Sequence, residues 1–126
     1  SRRHPETMLL VAHCRDGAGP GAVPGGLAGF GIMYYGDSRA HLNLLGVDPR
    51  LQRLGVGRCL LRWLERSAVE AGTFVIGLEL RADNAAALAF YHALGYEIVG
   101  RVRGYYQGVE DALRMRRDLR TAPFAA

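Results

Sequence analysis

The chain has 126 residues, 49% of them hydrophobic and 22% charged, with a formal net charge of +4. That length predicts a single domain over residues 1–126, and no apolar run reaches the ~18 residues a membrane-spanning helix needs. The basic excess suits an acidic ligand or partner, and it equally suits scattered arginines on a solvated surface.

The cationic side chains are all arginine, so Schiff-base lysine chemistry and a P-loop lysine are both excluded. His4, His13, His41 and His92 form no ligand spacing, nor do Cys14 and Cys59, and no metal site is expected. Residues 1–6 show no leader pattern. A cytoplasmic protein is expected, without membrane or direct nucleic-acid contact.

Residues 1–7 are polar and read as a frayed start. Residues 8–14 read as a strand, apolar on both faces and therefore expected in the sheet interior. A glycine-rich loop containing Pro20 and Pro24 follows. Leu27–Tyr35 and Ala40–Val47 read as two more strands, and the three should form an antiparallel meander. Asp48-Pro49 stops the third, because proline lacks an amide hydrogen and disfavours helix at the residue before it. A turn with Arg50, Gln52 and Arg53 leads to Gly55 and Gly57, which open a helix over 55–71.

That helix shows an apolar stripe of Val56, Leu60, Trp63, Leu64, Ala68 and Ala71, with Gly72 at the C-terminal position. Cys59 lies near the stripe and reads as a packed thiol. Residues 74–80 form a buried strand, which makes strand–helix–strand a βαβ unit with Leu44 and Ile76 on parallel neighbours. Asp83 or Asn84 caps a second helix over 85–94, closed by Gly95. Residues 96–102 are a strand, 104–108 a turn and 112–119 the last strand, with Leu113 and Met115 inward and Arg114 and Arg116 outward. The order β-β-β-α-β-α-β-β predicts an α/β fold: a mixed, mostly antiparallel sheet flanked by helices.

A strand, a glycine turn and a helix N-terminus make an anion site, because the first amide hydrogens of a helix have no internal partner and its dipole is positive there. The segment is not a dinucleotide fingerprint. Gly55-Val56-Gly57 is followed by Arg58-Cys59-Leu60, without the third glycine, and three antiparallel strands precede it. A second stretch gives the turn its context: Leu78-Glu79-Leu80-Arg81-Ala82-Asp83-Asn84-Ala85-Ala86-Ala87, continuing through Phe90-Tyr91-His92 to Gly95-Tyr96.

Together the two stretches resemble the GNAT family of acetyl-CoA-dependent N-acetyltransferases, with the core motifs over 42–119. The closest likeness is to the RimI-type N-terminal acetyltransferases of a ribosomal protein; Tyr105-Tyr106 followed by Glu110-Asp111-Ala112 is similar to their tail. The resemblance implies acetyl-CoA wedged between the strands ending at Val47 and Leu80. It places the pyrophosphate on Arg53, Leu54, Gly55, Val56, Gly57 and Arg58, the pantetheine arm on the backbone of Leu45, Gly46 and Val47, and Asn84 against the cofactor. It also implies Glu79 as general base and Tyr91 as general acid. The family's opening strand and two helices have no counterpart before Met8, so the expectation is either that the chain is a fragment or that the acceptor wall comes from elsewhere, such as a partner subunit, with the glycine-rich loop and Tyr34-Tyr35 as candidates for filling the gap.

The residues themselves fit those roles. Glu79 faces opposite to Leu78 and Leu80 on an apolar strand, where partial desolvation favours a base; a structural ion pair with an arginine is the other reading. His41 is the rival base. Tyr91 stands beside the expected sulfur, or packs as a core aromatic next to Phe90. A bulge near Leu45-Gly46 would free a backbone amide for the oxyanion. Tyr105 and Tyr106 could wall the acceptor site. The expected activity is direct, ternary-complex acetyl transfer to a primary amine, a protein N-terminus first and a polyamine- or aminoglycoside-like amine second. A non-catalytic acyl-CoA-binding regulatory module is the alternative of another class. The basic, tyrosine-rich C-terminal region could support a homodimer.

Overall fold

The computed structural model of the chain describes residues 8–15, 27–36, 38–47 and 55–121. Its elements are β1 (Met8–Arg15), β2 (Leu27–Tyr35), β3 (Ala40–Val47), α1 (Val56–Glu70), β4 (Val75–Arg81), α2 (Ala85–Ala93), β5 (Glu97–Tyr106) and β6 (Glu110–Asp118). This is the order expected from the sequence. The glycine-rich loop after β1 and the basic turn with Arg50, Arg53 and Leu54 lie outside the described residues.

The six strands form one sheet in the order β1-β2-β3-β4-β6-β5. The first three make the antiparallel meander. β1 sits at an edge of the described sheet, not in its interior. Apolarity on both faces reports on the faces and says nothing about a strand's hydrogen-bonding edges. β3 and β4 are parallel, as the α1 crossover requires. Their pairing is confined to Ala40↔Ile76 and His41↔Gly77, so Ile76 stands beside Ala40 and not beside Leu44. Beyond that point β3 continues to Val47 and β4 to Arg81 without pairing to each other, and the sheet opens. On its other edge β3 stays joined to β2, with a bulge where Ile32↔Leu44 is followed by Met33↔Leu42 and Asn43 is left over. The bulge therefore lies at Asn43, short of the expected Leu45-Gly46, which pair regularly with Gly31 and Phe30.

Burial alternates along the central strands. Met33, Leu42, Ile76, Leu78, Leu80 and Met115 turn to one face and pack with Leu60, Leu61, Leu64 and Ala68 of α1. The stripe expected on α1 is rotated relative to this. Trp63 is 44% exposed, Ala71 and Cys59 are exposed, and Leu61 and Glu65 are buried instead. The apolar period misled because one buried position is a glutamate, two of whose partners, Tyr96 and Arg117, lie far off in sequence. Close approach also constrains the packing: a Cβ on Gly29 would lie 2.7 Å from the Gly46 carbonyl oxygen, beneath Leu60 and Val56 of α1. α1 ends in a Schellman motif, with Thr73 N–H bonded to Ala68 O at 2.8 Å and Gly72 N–H to Val69 O at 2.9 Å, Gly72 taking φ +83.

Glu65 is the hub of a buried polar cluster. The Tyr96 hydroxyl donates to Oε2 at 2.9 Å, and Arg62 and Arg117 donate to Oε1 at 2.8 and 3.0 Å. These bonds tie α1 to β6 and to the start of β5. Tyr96 is fully buried, and Tyr91 packs edge-on against it with ring centroids 5.7 Å apart. Burial raises both phenols, Tyr91 to about 12, and the Glu65 charge raises Tyr96 further.

Two outcomes follow from this core. Glu65→Leu removes the carboxylate that compensates a buried arginine and should cost roughly 3 kcal/mol in urea unfolding; a loss below about 1 kcal/mol would show that the cluster contributes little. The folded pKa of Tyr91 lies above its unfolded value of 10, so its contribution is fully present below pH 10 and is lost as pH rises toward 12. Wild type should lose roughly 2–3 kcal/mol from this residue across that window. Tyr91→Phe should flatten the decline in part, Tyr96 acting in the same direction, and an unchanged slope in the variant would contradict it.

Candidate active site

The carboxyl ends of the parallel pair, Val47 and Arg81, each lead into a helix, so the N-termini of α1 and α2 lie at the same edge of the sheet. α1 opens on Gly55, left-handed at φ +88, where a side chain would be strained. Among the described residues no side chain caps this terminus, and its first turn contains no acidic residue. The first closing bond runs from Cys59 N–H to Gly55 O at 3.0 Å. The amides of Val56, Gly57 and Arg58 are thus available to an anion. Gly57 stands against Val47 and Phe90: a Cβ there would lie 3.4 Å from both side chains. The first turn of α1 is held between the end of β3 and the face of α2.

Leu45, Gly46 and Val47 are partly buried and bonded to β2 on one edge. Their other edge faces the opening and has no strand partner among the described residues. Asn84 is exposed and caps α2, its side-chain oxygen accepting from Ala87 N–H at 3.0 Å. That bond occupies the oxygen and leaves the amide nitrogen for a ligand. Of the residues expected to bind cofactor, Arg53 and Leu54 lie outside the described residues, and the rest line one edge.

His41 and Glu79, read from sequence as rivals, are partners. His41 Nε2 lies 2.6 Å from Glu79 Oε1, and Arg114 Nε donates to Oε2 at 3.3 Å. The pair projects from the sheet face opposite α1, because Leu42, Leu78 and Leu80 occupy the core face. His41 is also the last β3 residue paired with β4, so the pair stands at the vertex of the opening. Tyr91 is on the other side, against the core cluster. Its hydroxyl has no hydrogen-bond partner among the described residues, and its raised proton affinity keeps it a neutral donor well above neutral pH.

The sequence reading allowed Glu79 an ion pair with an arginine, which proves to be Arg114, and it missed the role of Asp111. Asp111 accepts from Gly104 N–H and from Arg101 Nε, both at 2.9 Å. The Gly104 amide and then Arg101 hold its carboxyl below the ordinary range. The bonds pin a register shift in β5 between Val102 and Tyr106. The strand therefore runs on to Tyr106, where a turn over 104–108 was expected, and β6 begins at Glu110, not at 112. Tyr106 lies under the Arg81 guanidinium, 4.6 Å from the ring centroid, and Arg81 also pairs with Glu110. Tyr105 stacks edge-on against Tyr106 and is exposed. An acidic residue two positions before a hydrophobic strand pair is too common a pattern to have signalled this.

No group of three or more His, Cys, Asp or Glu placed to hold a metal occurs among the described residues, and none of their helices is long and apolar enough to cross a membrane. The chain is 41% identical over 92 residues to the ribosomal protein bS18-alanine N-acetyltransferase of Salmonella typhimurium (strain LT2), covering 71% of this chain and 62% of that protein. It spans less than two thirds of the length of that relative. The crystal structure of the ribosomal-protein-S18-alanine N-acetyltransferase from Escherichia coli superposes with a TM-score of 0.71 at 36% identity, over 83% of this chain and 70% of that one. A Bacillus anthracis str. Ames structure in complex with acetyl coenzyme A superposes with a TM-score of 0.70 at 27% identity, over 76% and 58%. Residues 2–96 match the acetyltransferase (GNAT) family, and with the sheet that opens beyond His41 and Gly77 they make this chain a member of it.

Proposed function

We propose that this protein transfers the acetyl group of acetyl-CoA to a primary amine, and that the amine is the N-terminus of a protein. The observation that carries the reading is the opening between β3 and β4 with the uncapped N-terminus of α1 at its mouth. A phosphate-bearing molecule with an extended amide-containing arm fits both parts. Its pyrophosphate takes the free amides of Gly57 and its neighbours, and its arm takes the open edge of Leu45, Gly46 and Val47 as a strand would. Acetyl-CoA supplies the activated acetyl group. Likeness to the Salmonella and Escherichia coli enzymes, named for an alanine of a ribosomal protein, supports a protein N-terminal acceptor and with it a cytoplasmic setting.

The chain's own groups then divide the proton work. The amine arrives on the face of His41 and Glu79, and its proton leaves through that pair. Charge developing on the thioester oxygen is met by a backbone amide on the open edge of β3, where the Asn43 bulge turns the strand. The departing thiolate receives a proton from Tyr91 on the opposite face. Tyr105 and Tyr106 border the acceptor path beside Arg81.

Acetyl-CoA at about a hundred times its Kd should stabilise the folded chain by roughly 2.7 kcal/mol, read as a rise in Tm; no rise would remove the reading. Tyr91→Phe should keep that rise and lower kcat about 10²-fold, and an unaltered kcat would strip Tyr91 of its acid role. Peptides with a free N-terminal alanine should accept acetyl, whereas N-blocked peptides, polyamines and aminoglycosides should not. Preferential acetylation of the small amines would reverse the acceptor assignment.

A further inference from the structure

We propose that His41 Nδ1, and not Glu79, takes the proton from the acceptor amine, with Glu79 as the positioning carboxylate behind it. This rests on the acetyl-transfer reading and assigns the atom that does its first proton transfer. Both Glu79 oxygens are engaged, Oε1 by His41 Nε2 at 2.6 Å and Oε2 by Arg114 Nε at 3.3 Å. A proton placed on this carboxylate would weaken both charge-assisted contacts. An ionised carboxylate can only accept hydrogen bonds, so the ring nitrogen facing it carries the hydrogen. The remaining nitrogen of the neutral ring, Nδ1, is then the acceptor, and it has no partner among the described residues. The His41 side chain is 43% exposed against 15% for Glu79, so the imidazole is the more approachable member. It also stands at the last paired position before the sheet opens.

The steps balance. The amine nitrogen bonds to the acetyl carbon as its proton passes to Nδ1, and imidazolium forms opposite the Glu79 carboxylate. The carbon–sulfur bond breaks, and the thiolate takes the Tyr91 proton. Water then carries the Nδ1 proton away and returns one to the Tyr91 oxygen. Imidazole suits this role because, as a class, it titrates near neutral pH. The other charged or titratable groups that the flanking strands bring to this face are Tyr34 across from His41, Arg116 across from Gly77, Arg114, Arg81 with its partner Glu110, and Tyr106. Phenol and guanidinium groups titrate well above the neutral range, so the His41→Gln variant decides whether an acid-limb ionisation in the rate belongs to this pair or to Glu110.

The test compares His41→Gln and Glu79→Gln with wild type in kcat and KM across pH, at saturating acetyl-CoA, with retained acetyl-CoA stabilisation as the control for folding. His41→Gln should lower kcat about 10²-fold and abolish the acid limb. Glu79→Gln should lower kcat at least about tenfold and move the limb to lower pH, since the imidazolium loses its counter-charge. If His41→Gln stays within about threefold of wild type with its acid limb in place, while Glu79→Gln eliminates turnover, Glu79 is the base and the proposal falls. Nitrogen NMR of the histidine rings in the intact chain gives a readout independent of turnover. His41 should carry its hydrogen on Nε2 with Nδ1 titrating, and a ring protonated at Nδ1 overturns the assignment. A wild-type chain that binds acetyl-CoA without transferring acetyl would count against the functional reading, and the NMR result would still decide the tautomer.

Discussion

Two residue pairs, Ala40↔Ile76 and His41↔Gly77, join β3 to β4 among the described residues, and most of what the site offers depends on the pairing ending there. A backbone that leaves a sheet must satisfy its amides and carbonyls elsewhere. Here the facing edges of two strands run on to Val47 and Arg81 with no strand partner among the described residues. The bulge at Asn43 alters the course of β3 just beyond the last pair, and α1 begins at the far end with its first turn against Val47 and Phe90. The same departure from regular pairing thus leaves a gap between the two strands, an open backbone edge on β3 and the start of α1 at its mouth.

The opening also separates two chemical environments. On one side the core cluster surrounds Tyr91 and Tyr96, where burial holds the phenols neutral. On the other side His41, Glu79 and a row of arginines from β6 make a polar face. β6 serves both, because alternate residues of a strand point to opposite faces: Leu113, Met115 and Arg117 are buried, while Arg114 and Arg116 are exposed. The neutral phenol of Tyr91 and the His41–Glu79 pair are therefore kept on opposite faces of the sheet. The buried Glu65 cluster holds α1 and the start of β5 in place behind this arrangement.

Much of the fold was legible because its signals are local. The limits of β2 and β3 coincide with the alternating runs, Pro49 and the glycine turn separate β3 from α1, and Gly72 and Gly95 stand just past the helix ends. The glycine start of α1 could be read for the same reason, since it needs only a glycine turn followed by a helical apolar period. Errors gathered where a residue's place depends on a distant partner. Trp63 was assigned to the core and Glu65 left out of it, because nothing near α1 in sequence announces Tyr96 or Arg117. The Tyr105-Tyr106 turn was placed too early, because Asp111 holds the irregular end of β5 from the neighbouring strand.

The sequence by itself determined the order of elements, the glycine start of α1 and the residue types available for acid and base work. Those follow from periodicity, proline and glycine stereochemistry and side-chain inventory, all properties of short stretches. Only the tertiary structure decided that His41 and Glu79, 38 residues apart, share a hydrogen bond and that Arg114 closes the other side of the carboxylate. Strand register sets those contacts, and register is a property of the whole sheet. A shift of one residue between β3 and β4 would send either side chain to the opposite face and leave two unrelated polar groups where the structure has a pair.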